Sequence, residues 1–588
     1  MKRSRLILFT SVVLLFSAAY WTFTGIIFYS KIFREEKLGK CLSSLSSKYL
    51  EVKYPDINTN EDSAGKAFQD QYDVKNYVLK ISFDFPSKYL FGILEMDAGC
   101  ISDTLNNIYL SLNSDMKITN VKLNGQGVDY LYERDYIIIP SYGKIRNNDN
   151  FIVEIKYEGS PKNYGFDSFS FKTFSNEPAV YSLSEPEYAS TWWPCKDLVD
   201  DKFTIDMIIT VPNQLTAVSN GLLIDTANEV NGNKTFFWRS SYPITTYLVS
   251  IAVAKYDKWT ETYYSKDSLK KMPVEYYTYP EYTENAKADW KNTVRMIEFF
   301  SDKFGEYPFI NEKYGMALFG WTGGAMEHQT VSSMGYTLVK GDGRYENIAA
   351  HELAHQWFGD AVSPESWKDV WLNEGFASYS EALWIEFTKN KEAYQKHMLK
   401  DDHGYFQGTV YDPEGFMFGP TVYNKGSWCL HMLRGTVGDS VFFGILKEYF
   451  EEYKYRNAST YDFQNVCEKV SGTDLKYFFD QWIFTGTGRP DYRYSWKAED
   501  LQSQPGNGYY NLRIDLKQIQ DDEYGIYKMP VRFTVITEYG SQEFKFFNDL
   551  RVQQFEQTVY GKPIEVLIDN DNWILKKSQL EEYQDTYK

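Results

Sequence analysis

The chain has 588 residues, with 80 acidic against 62 basic side chains and a formal net charge of −18. That length exceeds what one hydrophobic core supports and sets an expectation of three or four domains. The acidic balance excludes a nucleic-acid partner, whose phosphates require a basic face, and 43% hydrophobic residues exclude a disordered or fibrous chain.

After Lys2, Arg3 and Arg5, an uncharged run extends from Leu6 to Ser30 and ends at Lys31. As a helix it reaches about 37 Å, enough for a hydrocarbon core of about 30 Å. A cleaved secretory signal competes with a membrane anchor, because Ser17-Ala18-Ala19 suits a cleavage site after a shorter apolar region. The run continues past that point, which favours the anchor; with either, the rest of the chain is expected to be exported.

From about Tyr54 to Tyr256 the pattern is that of strands. Leu79, Ile81, Phe83 and Phe85 alternate with polar residues, as do Phe203, Ile205, Met207, Ile209 and Val211. Period-two runs bounded by Asn, Gly and Pro predict antiparallel sheet with one buried face. Near residue 260 the period changes: Trp290, Val294, Ile297 and Phe300 fall at helical spacing, predicting helix over 286–303. Helical patterns then dominate to Trp482. Beyond Gly488-Arg489-Pro490 alternation returns, as in Leu512, Ile514, Leu516 and in Val531, Phe533, Val535, which suits a small β-sandwich. The expectation is a multidomain α+β chain. Residues 1–48 form the anchor or signal with a linker, 49–258 a β domain, 259–489 a mainly helical domain and 490–588 a sandwich.

All six histidines lie between His328 and His431, inside the helical region. Two of them frame His351-Glu352-Leu353-Ala354-His355. Residues four apart stack on one helix face, so both imidazoles can reach one metal ion while Glu352 stands beside it. The five cysteines form no C-x-x-C pair, which argues against a thiolate site. A catalytic zinc takes three protein ligands and keeps one open position. Glu374 opens a second apolar-periodic segment running to Trp384 and is the expected third ligand. Glu381, seven residues on and on the same face, is placed to hold a ligand imidazole through its distal N–H. Gly359 is the expected stop of the first helix.

These residues, His351 to Asp360 together with Trp371-Leu372-Asn373-Glu374-Gly375-Phe376-Ala377, resemble the aminopeptidase N and leukotriene hydrolase family, zinc peptidases of the gluzincin group. The likeness covers roughly residues 70–570, and the long helical C-terminal domain of larger members is expected to have no counterpart here. The resemblance implies a thermolysin-like catalytic domain with one zinc per chain and Glu352 as general base towards an activated water. It implies that Tyr423, in Tyr423-Asn424-Lys425-Gly426, stabilises the oxyanion. It further implies that Gly324, Ala325, Met326 and Glu327 form the exopeptidase motif, with Glu327 anchoring the substrate's free α-amine. By the same resemblance Glu185, ten residues before Cys195 in Trp192-Trp193-Pro194-Cys195, is expected to supply a second carboxylate to that amine. His328 stands where the family has asparagine and is expected either to bind substrate backbone with a pH dependence or to be structural.

The function so implied is removal of single residues from peptides with a free N-terminus. A zinc endopeptidase is the first alternative, for which Glu327 and Glu185 have no purpose. A membrane-tethered peptide-binding protein without turnover is the second, for which Glu352 and Tyr423 have none. Composition leaves the oligomeric state and the preferred N-terminal side chain open.

Overall fold

The computed structural model describes residues 63–174, 176–501 and 508–583. The expected anchor or signal, residues 6–30, lies outside them. No helix among the described residues is long and apolar enough to cross a membrane.

Three sheets occupy the stretch from Tyr72 to Ala254. The largest has eight strands, with Tyr72–Asp84 and Phe203–Pro212 adjacent at its centre. Phe203, Ile205, Met207, Ile209 and Val211 are all buried while the residues between them are half-exposed, as their alternation predicts. The central pair is parallel, running from Asn76 opposite Thr204 to Ser82 opposite Thr210. The expected all-antiparallel sheet is corrected there: the two strands are distant in sequence, and alternation reports which face is buried, not strand direction. A four-stranded sheet contains Glu177–Ser182, whose C-terminal end leads directly to Glu185. Trp192, fully buried, donates its indole N–H to Ser184 at 3.0 Å and fixes that segment.

The region read as mainly helical opens with a five-stranded sheet, a second correction. Its strands are β1 (Asp257–Tyr264), β2 (Lys271–Thr278), β3 (Tyr314–Phe319), β4 (Ala325–Met326) and β5 (Ser332–Gly335), in spatial order β1-β2-β3-β5-β4. All six residues of β3 are buried, so no alternation marks it, and β4 is two residues long. The helix expected over 286–303 is two helices, α1 (Thr283–Asp289) and α2 (Thr293–Phe304). Between them Trp290 turns inward to stack on Tyr276 and Trp259. The Asp289 carboxylate accepts the backbone N–H groups of Lys340, Gly341 and Gly343 at 2.7–2.8 Å, pinning the break to the loop ahead of the next helix.

That next helix is α3 (Glu346–Ala354), followed by α4 (Trp371–Thr388). Farther on, a helix over Gly426–Val437 packs on α4. The C-terminal segment folds as a four-stranded sheet facing a three-stranded one. Leu512, Ile514 and Leu516 on one, and Val531, Phe533 and Val535 on the other, are inaccessible to solvent. Their core is continuous with that of the helical region.

Candidate metal and substrate site

α3 carries Ala349, Ala350, Leu353 and Ala354 into the core, with Glu346 in its first turn where a negative charge favours the helix N-terminus. The helix ends at Ala354, and His355 follows as its cap with dihedrals still helical. Gly359 is therefore not the stop; it lies farther on, at φ 131°, where the chain turns back. Because His355 remains helical, the two imidazoles stay one turn apart, with ring centroids separated by 4.8 Å.

The Nδ1 atom of each histidine faces an acceptor. His351 Nδ1 is 2.9 Å from Glu381 Oε1, and His355 Nδ1 is 3.1 Å from the carbonyl oxygen of Phe358. Each Nδ1–H donates there, which leaves both Nε2 lone pairs directed elsewhere. They meet Glu374 Oε2, at 3.2 Å from His351 and 3.4 Å from His355. Three such atoms converging on one buried point form a group that could hold a metal ion. In tetrahedral zinc coordination, bonds of about 2.0–2.2 Å place neighbouring ligand atoms about 3.3 Å apart. The observed separations match that spacing, so the donor set fits zinc. Glu381 is itself held by Asn347 Nδ2 at 2.7 Å.

Without a metal ion, protons supply the positive charge between these groups. Burial opposes a charge on His351, yet bonds to Glu374 and Glu381 hold its pKa well above the ordinary histidine value. Burial acts to raise the Glu374 carboxyl, but His355 and His351 draw it down to about 2. Burial pushes Glu352 up to about 8, with the two histidines opposing and Glu327 and Glu374 adding to the rise.

Glu185 and Glu327 close the same site. One oxygen from each lies with one from Glu374 inside a group spanning no more than 4.8 Å. Glu185 Oε1 and Glu327 Oε1 are buried with no hydrogen-bond partner among the described residues. Burial, then each neighbouring carboxylate, holds Glu185 well above the ordinary range. Burial also raises Glu327, against His355. The β4 strand presents Glu327: Ala325 pairs with Met334 and Met326 with Ser333, while Gln356 Nε2 holds the Glu327 carbonyl at 3.1 Å. A Cβ on Gly335 would come within 2.3 Å of the Gly324 carbonyl oxygen, so only glycine lets β5 lie this close.

Tyr423 sits on a π-helical turn, Thr421–Lys425, its ring parallel to that of His351 at 5.9 Å. Burial, then Glu374 and Glu185, holds its hydroxyl well above the ordinary tyrosine pKa, so it remains an O–H donor, aimed towards Glu374. Glu185, Gly324, Ala325, Met326, Glu327, His351, Glu352, His355, Glu374, Glu381 and Tyr423 all line one cavity of about 330 Å³.

His328 does not line it. Its Nδ1 pairs with Ser333 Oγ at 2.8 Å, the side chain is inaccessible, and burial lowers its pKa to about 3. Of its two expected roles, substrate contact with a neutral-range titration is corrected: the ring is structural and stays uncharged. Sequence reasoning missed Asn347 and the Phe358 carbonyl. Both had a signal, since Asn347 is four residues before His351 on the same helix face, and Phe358 lies beyond a helix end, where carbonyls are left unpaired.

Two family models match: the peptidase M1 N-terminal domain over residues 68–248 and the peptidase family M1 domain over residues 289–482. This chain belongs to peptidase family M1. Among solved structures, an M1 zinc metallopeptidase from Deinococcus radiodurans is 26% identical with a TM-score of 0.65, covering 71% of this chain and 95% of that one. Aminopeptidase A of Legionella pneumophila, 18% identical with a TM-score of 0.75, shares the fold over 87% of this chain and 60% of its own. Among curated relatives, a probable aminopeptidase 2 of Sulfurisphaera tokodaii is 26% identical over 71% of this chain and 54% of its own length. The glutamyl aminopeptidase of Sus scrofa is 30% identical over 51% and 34% respectively. This M1 chain thus spans about half the length, or less, of the curated relatives it matches.

Proposed function

We propose that this chain is an aminopeptidase holding one zinc per chain on His351, His355 and Glu374, and cleaving the first peptide bond of peptides with a free N-terminus. The observation that carries the reading is the pair of orphaned, buried carboxylate oxygens on Glu185 and Glu327 beside the zinc donors. A buried carboxylate without a partner is costly, and a substrate ammonium between the two supplies the missing positive charge and hydrogen bonds. A longer chain or an acylated nitrogen cannot donate in that way, so those groups count bonds from the N-terminus. The names of the relatives support the same reading.

Bound at the His-His-Glu point, zinc supplies Lewis-acid polarisation and lowers the pKa of a coordinated water towards 7. Glu352, adjacent to His351 and lining the same cavity, accepts the proton of the attacking water and returns it to the departing amine. Tyr423, kept protonated, donates to the oxygen on which negative charge develops. Among the described residues the edge strand β4 has one neighbour, which leaves its outer backbone groups available to an extended peptide.

Rates on an aminoacyl anilide and on its N-acetylated form test this. Hydrolysis confined to the free amine is expected; equal rates on both select the endopeptidase alternative. We further propose that residues 6–30 anchor the chain in a membrane with the enzyme exported, on the strength of their length and lack of charge. Release from membranes by alkaline carbonate would contradict that.

A further inference from the structure

We infer that this chain selects peptides whose N-terminal residue bears a large aromatic or aliphatic side chain, and that Phe166, Trp321, Phe416 and Phe418 form the selecting wall. The inference rests on the aminopeptidase reading, because it takes the substrate ammonium to sit at Glu185 and Glu327.

The four rings come from three separate segments, yet they meet. Phe166 lies 5.8 Å from Trp321, 6.2 Å from Phe416 and 5.4 Å from Phe418, and Phe416 lies 5.9 Å from Phe418. All four contacts are edge to face, a geometry that aromatic pairs favour. All four line the cavity that contains the zinc donors and the two amine carboxylates. The core rings of this chain, such as Trp192, Trp357 and Trp371, are wholly inaccessible, whereas these four are half-buried or, for Phe416, 55% exposed. Apolar rings left facing a cavity are the signature of a surface that is covered by a ligand.

The wall adjoins the amine anchors. Trp321 precedes β4, and a Cβ on Gly323 would meet its indole ring at 2.4 Å, one on Gly324 at 3.3 Å. The two glycines therefore let the indole lie on the backbone that leads into Ala325-Met326-Glu327. Any side chain at Gly323 lifts the ring away. Since the N-terminal side chain branches from the carbon bearing the ammonium, it is the part of the substrate that must fill the space beside those anchors.

Charge supplies the exclusion. The lining contains no lysine or arginine among the described residues. Away from the metal point and its ligands, an acidic N-terminal side chain meets the carboxylates Glu185, Glu327, Glu352 and Glu381. A basic one finds no uncommitted carboxylate, since Glu381 is held by His351 and Asn347 and the rest serve metal, proton transfer or amine. An alanine leaves the rings unfilled.

The test uses the full chain with zinc and a panel of free-amine aminoacyl coumarylamides bearing Phe, Leu, Ala, Arg or Glu. We expect kcat/KM for Phe and Leu to exceed that for Ala on the order of 10²-fold, and Glu to be the poorest. Phe416→Ala, where the ring is 55% exposed, and Phe166→Ala should raise KM for the Phe substrate several-fold while changing the Ala substrate less than about twofold. A preference for Ala, Arg or Glu, or an equal loss on every substrate in both variants, overturns the inference while leaving an aminopeptidase in place. No turnover on any free-amine substrate overturns both readings.

Discussion

Replacing Glu352 with glutamine keeps the side chain's shape and removes its capacity to take a proton. Glu352→Gln is expected to lower kcat on the order of 10³-fold with peptide affinity by calorimetry changed only slightly. Turnover surviving that substitution, with binding intact, would leave the reaction without its base. Glu381 acts one step farther from the metal, through Nδ1 of His351. Glu381→Ala should weaken zinc binding roughly 10–100-fold in competition with a chromophoric chelator; unchanged affinity would mean that the imidazole is oriented by something else. Both residues were legible in the sequence because helical spacing alone puts them on the right faces. His328 was not: its place in the motif, where the family has asparagine, suggested substrate contact, but only Glu327 of the two lines the cavity, and burial, which spacing does not reveal, fixed the role of His328.

At the scale of elements, the site depends on two helices lying unusually close. A Cβ on Gly375, next to Glu374, would sit 3.0 Å from the Gly426 Cα, and one on Gly426 would sit 3.0 Å from the Gly375 Cα. The facing atoms are backbone and cannot rotate away, so the pair of glycines sets the distance between the Glu374 helix and the turn bearing Tyr423. Gly426→Ala should displace that turn by a few tenths of an ångström and lower kcat roughly tenfold while zinc stoichiometry is unchanged. Wild-type kinetics in this variant would show that the close approach does not position Tyr423. The glycines stood in plain view beside the recognised motifs, but only the packed structure shows what each would collide with. The strands around the site were hidden for a different reason: Tyr314–Phe319 is buried on both faces and lost its alternation, and Ala325–Met326 is too short to have a period.

At the scale of the molecule, the helical region and the C-terminal sandwich share one core, and His431 stands at their junction. Its Nε2–H donates to the Asn572 carbonyl at 2.9 Å, its Nδ1 accepts from the Tyr394 hydroxyl, and its ring stacks on Trp573 at 4.7 Å. Burial lowers its pKa to about 3, and the cations Arg434, Lys576 and Arg532 act in the same direction against the Asn572 carbonyl. Between about pH 6.5 and 3 the unfolded chain binds a proton at this position that the folded chain refuses. Stability therefore falls as pH falls through that window, by up to about 1.4 kcal/mol per unit from this residue. His431→Phe, less stable at pH 7 for want of its two hydrogen bonds, should close part of the gap to wild type by pH 5, as read from denaturation midpoints. A gap that is constant or widens with acid would contradict a neutral buried imidazole. The order of β domain, helical region and sandwich could be read from changes of period along the chain, but the continuity of the last two cores could not, since it rests on contacts between residues more than 100 positions apart such as His431 and Trp573.

The most direct measurement is metal reconstitution. Chain freed of metal by a chelator should be inactive on a free-amine substrate and regain activity in proportion to added zinc, with a break at one equivalent per chain. His355→Ala should show neither the break nor the recovery. Full activity in the metal-free chain, or recovery in His355→Ala matching wild type, would contradict a zinc held by His351, His355 and Glu374.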